Sequence, residues 1–170
     1  MILFAIMKIN TIELVELHNA PELTKDLKEL LTAYGLYMYG QLGLVAGKES
    51  FFKELDQIPG HAYSPPNGTF IIAKYQNKVI GCVGIKKFKD ESCEMKRMYI
   101  IPSFRGKGIG KYLCQYVIDW CISSTYKKIL LDTNKEMKEA VNLYHSCGFF
   151  NIPPYCINEN EHPVFMQYDV

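Results

Sequence analysis

The chain has 170 residues, and 19 lysines and arginines stand against 18 aspartates and glutamates, so its net charge is +1. That length suits one domain spanning residues 1–170, able to bury roughly 70% of its unfolded surface without covalent staples. The near-neutral balance gives no support for a nucleic-acid partner, and six cysteines with no C-x-x-C pair argue for reduced, buried thiols in the cytoplasm and against a disulfide frame or metal site.

The apolar start, MILFAI, is interrupted by Met7-Lys8, too short for a membrane span and without a basic leader. It extends a first strand, or translation starts at Met7. Ile9 to Glu16 alternates imperfectly, as a strand does. Pro21 opens a helix in which Leu23, Leu27, Leu30, Leu31 and Tyr34 recur at helical spacing, with Gly35 at its expected end. Leu36 to Gly47, with Tyr37 and Tyr39, reads as a loop or broken helix. A short helix from Lys48 to Gln57 is stopped by Pro59-Gly60. His61 to Gly68 is turn chemistry, and His61 and Tyr63 either line a cleft or pack. Thr69–Tyr75 and Lys78–Lys86 form a hairpin around Gln76-Asn77, and Cys93–Ile101 adds a third strand that Pro102 ends.

The segment Ser103 to Trp120 organises the rest. A strand leads into it, and Ile109, Tyr112, Leu113, Tyr116, Val117, Trp120 and Cys121 define one helical apolar face. Gly106, Gly108 and Gly110 therefore sit at a strand-to-helix corner. There the unpaired first-turn N–H groups and the positive end of the helix dipole attract anions, and Arg105, Lys107 and Lys111 add charge. A diphosphate is the natural guest. The nucleoside-triphosphate loop does not fit, because Arg105 stands where its first glycine belongs and Tyr112 follows Lys111. The dinucleotide fingerprint also fails, its third glycine arriving one residue early.

Downstream, Lys128–Leu131 (KILL) reads as a buried strand, and Thr133 with Glu136 as a capping box for a helix with Met137, Ala140, Val141, Tyr144 and Cys147 on its apolar face. Gly148 stands at the helix end; Phe149–Ile152 and Val164–Tyr168 are further strands. Strand, corner, helix, strand and helix in succession imply a parallel pair inside a mixed α/β sheet.

Arg105, Gly108 and Gly110 satisfy the pattern Arg/Gln-x-x-Gly-x-Gly/Ala, and this resembles the pyrophosphate loop of the GNAT N-acetyltransferase superfamily. Ala140 to Phe149 (AVNLYHSCGF) is similar to the superfamily's A-x-x-L-Y-x-x-x-G-F segment, so the resemblance covers nearly the whole chain. It implies a mostly antiparallel sheet flanked by helices and splayed between two parallel strands, with acetyl-CoA inserted in the splay. The activity implied is acetyl transfer to a primary amine, with a small molecule as expected acceptor and no metal. A peptide amine and a non-catalytic acyl-CoA-binding module are the alternatives, no membrane partner is expected, and a homodimer is left open.

By the same resemblance, Arg105, Gly106, Lys107, Gly108, Ile109, Gly110 and Lys111 hold the diphosphate, and backbone N–H groups of Met98, Tyr99 and Ile100 hold the thioester carbonyl. Tyr144 matches the general acid at the sulfur, although it also fits a core position. Glu94, on the strand bordering the substrate, is the candidate base, directly or through water, or else a carboxylate paired with Lys96. Met137 occupies a position where the family often has a cofactor-binding asparagine. Asn134, one turn earlier, is the substitute contact or a helix cap.

Overall fold

The computed structural model describes residues 11–170, and both readings of the N-terminus lie outside them. The strands are β1 (Glu13–Glu16), β2 (Gly68–Tyr75), β3 (Lys78–Lys87), β4 (Ser92–Ile100), β5 (Lys128–Asn134), β6 (Phe150–Asn151) and β7 (Pro163–Asp169). The helices are α1 (Thr24–Gly35), α2 (Lys48–Gln57), α3 (Ile109–Ser123) and α4 (Lys138–Ser146). Among the described residues the strands form one mixed sheet in the order β1-β2-β3-β4-β5-β7-β6, with β4 and β5 its parallel pair.

Both faces of the sheet are covered. Phe70, Ile72 and Cys82 pack with Leu27 and Leu31 of α1 and Phe51 of α2, while Ile71, Ala73 and Val83 pack with Leu113 and Val117 of α3. This double cover explains why β2 reads as a continuous apolar run instead of an alternating one. The β2–β3 turn falls on Gln76 and Asn77, at φ 48° and 64°, the left-handed geometry that a two-residue hairpin turn demands.

Two expectations are corrected and a third is refined. Gly35 is the last residue of α1, as expected, but the chain does not leave the helix in a loop there: it runs on into a widened helical turn, Leu36–Gln41. Gly35 is there for close approach, since a Cβ would lie 2.7 Å from Phe51 Cε1 where α1 meets α2. The Thr133–Glu136 capping box does not form. Thr133 and Asn134 remain in β5 because β7 pairs with β5 along its whole length, and α4 starts at Lys138. On α3, Cys114 and Ile118 are buried while Tyr112 is exposed. The buried face is rotated from the expected one because α3 packs on α4 as well as on the sheet.

The parallel pairing is short. Ser92, Cys93 and Glu94 face Lys128, Ile129 and Leu130, and there it stops. Beyond it β4 stays with β3 and β5 stays with β7, so the two strands diverge and the edge of β4 is left open. A bulge sits on that edge. Cys82 faces Tyr99 and Gly84 faces Lys96, so Arg97 and Met98 together oppose Val83, with Arg97 at φ 58°.

Candidate active site

Two cavities open on the splay. The first, about 460 Å³, is lined by Met98, Tyr99 and Ile100 of β4, by Arg105, Gly106 and Gly108 of the loop, by Ile109, Gly110 and Lys111 of α3, and by Ala140, Leu143 and Tyr144 of α4. Gly106 and Gly108 have φ of 70° and 80°, a left-handed backbone that brings the loop round to α3. Gly108 is the residue before the helix and offers no side-chain cap. The first-turn N–H groups of α3 are thus available to an anion. Arg105 crosses this groove: its Nε donates to the Ile100 carbonyl at 2.9 Å, and its guanidinium carbon lies 5.0 Å from the Tyr37 ring and 5.4 Å from that of Tyr99.

Two residues expected at the cofactor, Lys107 and Asn134, do not line this first cavity. Lys107 donates to the Ser103 carbonyl at 3.0 Å on the exposed side of the loop. Asn134 is buried, and its Oδ1 accepts the Glu136 N–H at 2.9 Å, fixing the turn from β5 to α4. It borders the second cavity and not the first.

The second cavity, about 350 Å³, lies between the helical turn after α1 (Met38, Tyr39), the start of α2 (Gly47, Ser50), Lys96 and Arg97 of β4, Asp132 of β5, and the 157–160 segment. Tyr34, Met98, Met137 and Tyr144 line both cavities and are the wall at which they meet. Burial pushes the pKa of Tyr144 well above the ordinary tyrosine value, so its phenol keeps its proton at neutral pH.

Glu94 lines neither cavity. Its carboxylate is buried, accepts the Tyr155 hydroxyl at 2.8 Å, and lies 3.3 Å from Lys86 Nζ and 3.5 Å from Lys96 Nζ. Two carboxylates do line the second cavity, Glu159 of the 157–160 segment and Asp132, and Asp132 accepts hydrogen bonds from Lys96 Nζ at 2.6 Å and Asn158 Nδ2 at 2.8 Å. Burial disfavours charged Lys96, but Asp132 and Glu94 outweigh it and hold its pKa above the ordinary lysine value. Sequence reading missed Asp132 because the apolar KILL run seemed to end the strand one residue before it. His61 and Tyr63 line neither cavity: His61 is exposed beside Asn67, and Tyr63 is buried with its ring 4.3 Å from that of Phe70.

The Acetyltransferase (GNAT) family profile matches residues 26–149. An uncharacterised N-acetyltransferase of Schizosaccharomyces pombe is 33% identical over 129 residues, 73% of this chain and 79% of that one. Among solved structures, an acetyltransferase from Streptococcus agalactiae superposes with a TM-score of 0.76 at 21% identity, covering 94% of this chain and 99% of the other. The PaiA N-acetyltransferase of Thermoplasma acidophilum, solved in complex with coenzyme A, has a TM-score of 0.74 at 19% identity over 94% and 99% of the two chains. The open, mostly antiparallel sheet with its helices matches the fold of these acetyltransferases. The chain belongs to the GNAT acetyltransferase family and is an acetyl-CoA-dependent acyltransferase. Among the described residues no helix is long and apolar enough to cross a membrane.

Proposed function

We propose that this chain, acting as one domain, transfers the acetyl group of acetyl-CoA to the primary amine of a small molecule. The observation that carries the reading is the shared wall: a glycine-rich cationic groove and a polar pocket meet at Met98 and Tyr144. The groove residues fit the coenzyme, with an uncapped helix start and Arg105 for the diphosphate, and the open edge of β4 beside the pantetheine arm. Bound acetyl-CoA supplies the activated thioester. A pocket of about 350 Å³ bordered by the 157–160 segment has the size of a small-molecule site.

Each residue then has a task. Asp132, at the pocket wall, takes the proton of the acceptor ammonium, directly or through water, so that the nitrogen presents its lone pair. Glu94 serves this step at one remove, holding Lys96 against Asp132. Backbone N–H groups on the Met98–Ile100 edge steady the developing negative charge on the thioester oxygen. Tyr144 gives its proton to the departing sulfur.

The test is calorimetric titration of acetyl-CoA followed by thiol release over a panel of amines and short peptides. Tight cofactor binding with thiol release from small amines is expected. Binding without release from any acceptor would make the chain a non-catalytic acyl-CoA-binding module, and release with peptides alone would shift the acceptor class.

A further inference from the structure

The groove accounts for Arg105 and Tyr144 but leaves Arg97 without a task. The bulge in β4 puts Arg97 in a left-handed conformation, φ 58°, which for a residue with a long side chain is strained. That strain sends the guanidinium out of the sheet alternation and across the Phe51 ring, 4.7 Å from its centroid, beside the second cavity. Only its Nε is committed to a carboxylate, donating to Glu54 Oε1 at 2.9 Å. No buried side-chain nitrogen or oxygen lacks a partner among the described residues, so the two terminal nitrogens, for which no protein acceptor is seen, are not sealed from solvent, and Arg97 is one of the residues lining the second cavity. The two nitrogens present up to four N–H donors in a plane, in a setting only 19% exposed. Such a fork recognises a carboxylate.

The other charges of the pocket fit the same guest. Asp132 stands on β5, across the splay from Arg97 on β4, and shares the cavity with it. A ligand with a cationic nitrogen at one end and an anionic group at the other matches these two walls.

Resting on the proposed acetyl transfer, we infer that the acceptor is an amine that also bears a carboxylate, an amino acid in the broad sense, and that Arg97 binds this carboxylate through its terminal nitrogens. The amine nitrogen is thereby directed towards Asp132 and the Tyr144 junction. Arg97 is a binding and specificity residue; the acetyl transfer itself stays with the groups already described.

The experiment compares matched acceptors with the full chain and acetyl-CoA: the common L-amino acids, the carboxamide of each, and the corresponding decarboxylated amines. For the preferred amino acid, kcat/KM is expected to exceed those of its two partners roughly 10- to 100-fold, the scale of one buried charged contact. Arg97→Ala should bring that ratio to about 1 through KM, with the decarboxylated amine unaffected. Glu54→Gln removes the ion pair but leaves the guanidinium, so it should keep the preference. Affinity for coenzyme A, measured in every variant, reports whether the fold is intact. A wild-type enzyme indifferent to the carboxylate, or an Arg97→Ala protein that binds coenzyme A normally yet loses all three acceptors equally, overturns the inference and leaves acetyl transfer standing. If no amine releases thiol, the proposed function fails instead. Calorimetric binding of the same amino acids to the protein saturated with coenzyme A still decides the carboxylate site, supporting it if Arg97→Ala abolishes binding and overturning it if binding is absent or unchanged.

Discussion

The two cavities that meet at Tyr144 are built in different ways. The cofactor groove draws most of its wall from one stretch, Met98 to Lys111, and much of what it offers is backbone: the open edge of β4, the left-handed loop, the first turn of α3. The acceptor pocket is assembled from segments far apart in the chain, and what it offers is side chains, Arg97 and Asp132 above all. A site made of backbone can be read as a pattern of glycines. A site made of side chains from separate elements leaves no pattern, because its residues are neighbours only after folding.

The comparison breaks most sharply at the junction. Tyr144→Phe should lower kcat roughly 100-fold or more, the usual reach of a general acid, with little change in coenzyme A affinity. A variant that weakens cofactor binding and leaves kcat intact would make Tyr144 a packing residue. Next in size, Arg105→Glu acts on the groove alone: the Kd for acetyl-CoA, read by calorimetry, should rise roughly 10- to 100-fold, as for loss of a hydrogen bond to a charged group. Its effect on the amine KM should be slight, and an unchanged Kd would remove Arg105 from the diphosphate site.

Gly35→Ala probes the other side. The added methyl meets Phe51 where α1 packs on α2, so overpacking should destabilise the fold by about 1–3 kcal/mol in chemical denaturation. The disturbance should raise the amine KM and spare the coenzyme A Kd, since α2 borders only the acceptor pocket.

The smallest effect is on stability at high pH. Burial raises the pKa of Tyr34 and Tyr144, the two tyrosines of the shared wall. Above a pH of about 10 an unfolded tyrosine loses its proton while these keep theirs, so the unfolded state binds fewer protons. Stability is therefore complete below about pH 10 and falls as pH rises past it, by up to about 1.4 kcal/mol per pH unit for each tyrosine. Tyr34→Phe should flatten the decline seen in thermal melts across that range, and an unaltered slope would count against its buried phenol.

Much of this molecule was legible before folding. The hairpin at Gln76-Asn77, the strand-to-helix corner, the helix carrying Tyr144 and the parallel pair all follow from local propensity and periodicity, which act over a few residues. The glycine spacing after Arg105 pointed by itself to the proposed anion site, because backbone conformation is set locally. What only the tertiary structure decided is how far elements continue and what stands opposite them. Pairing with β7 carries β5 through Thr133 and Asn134, which local chemistry assigned to a helix cap. Contact with Phe51 gives Gly35 a packing reason beyond the helix end that local chemistry marked. Glu94 and Asp132 differ by the same principle: both are strand carboxylates in the folded chain and both approach Lys96, and only the divergence of β4 from β5 leaves Asp132 at the cavity wall while Glu94 lines neither cavity. Charge at a site depends on three-dimensional neighbours, and those are fixed last.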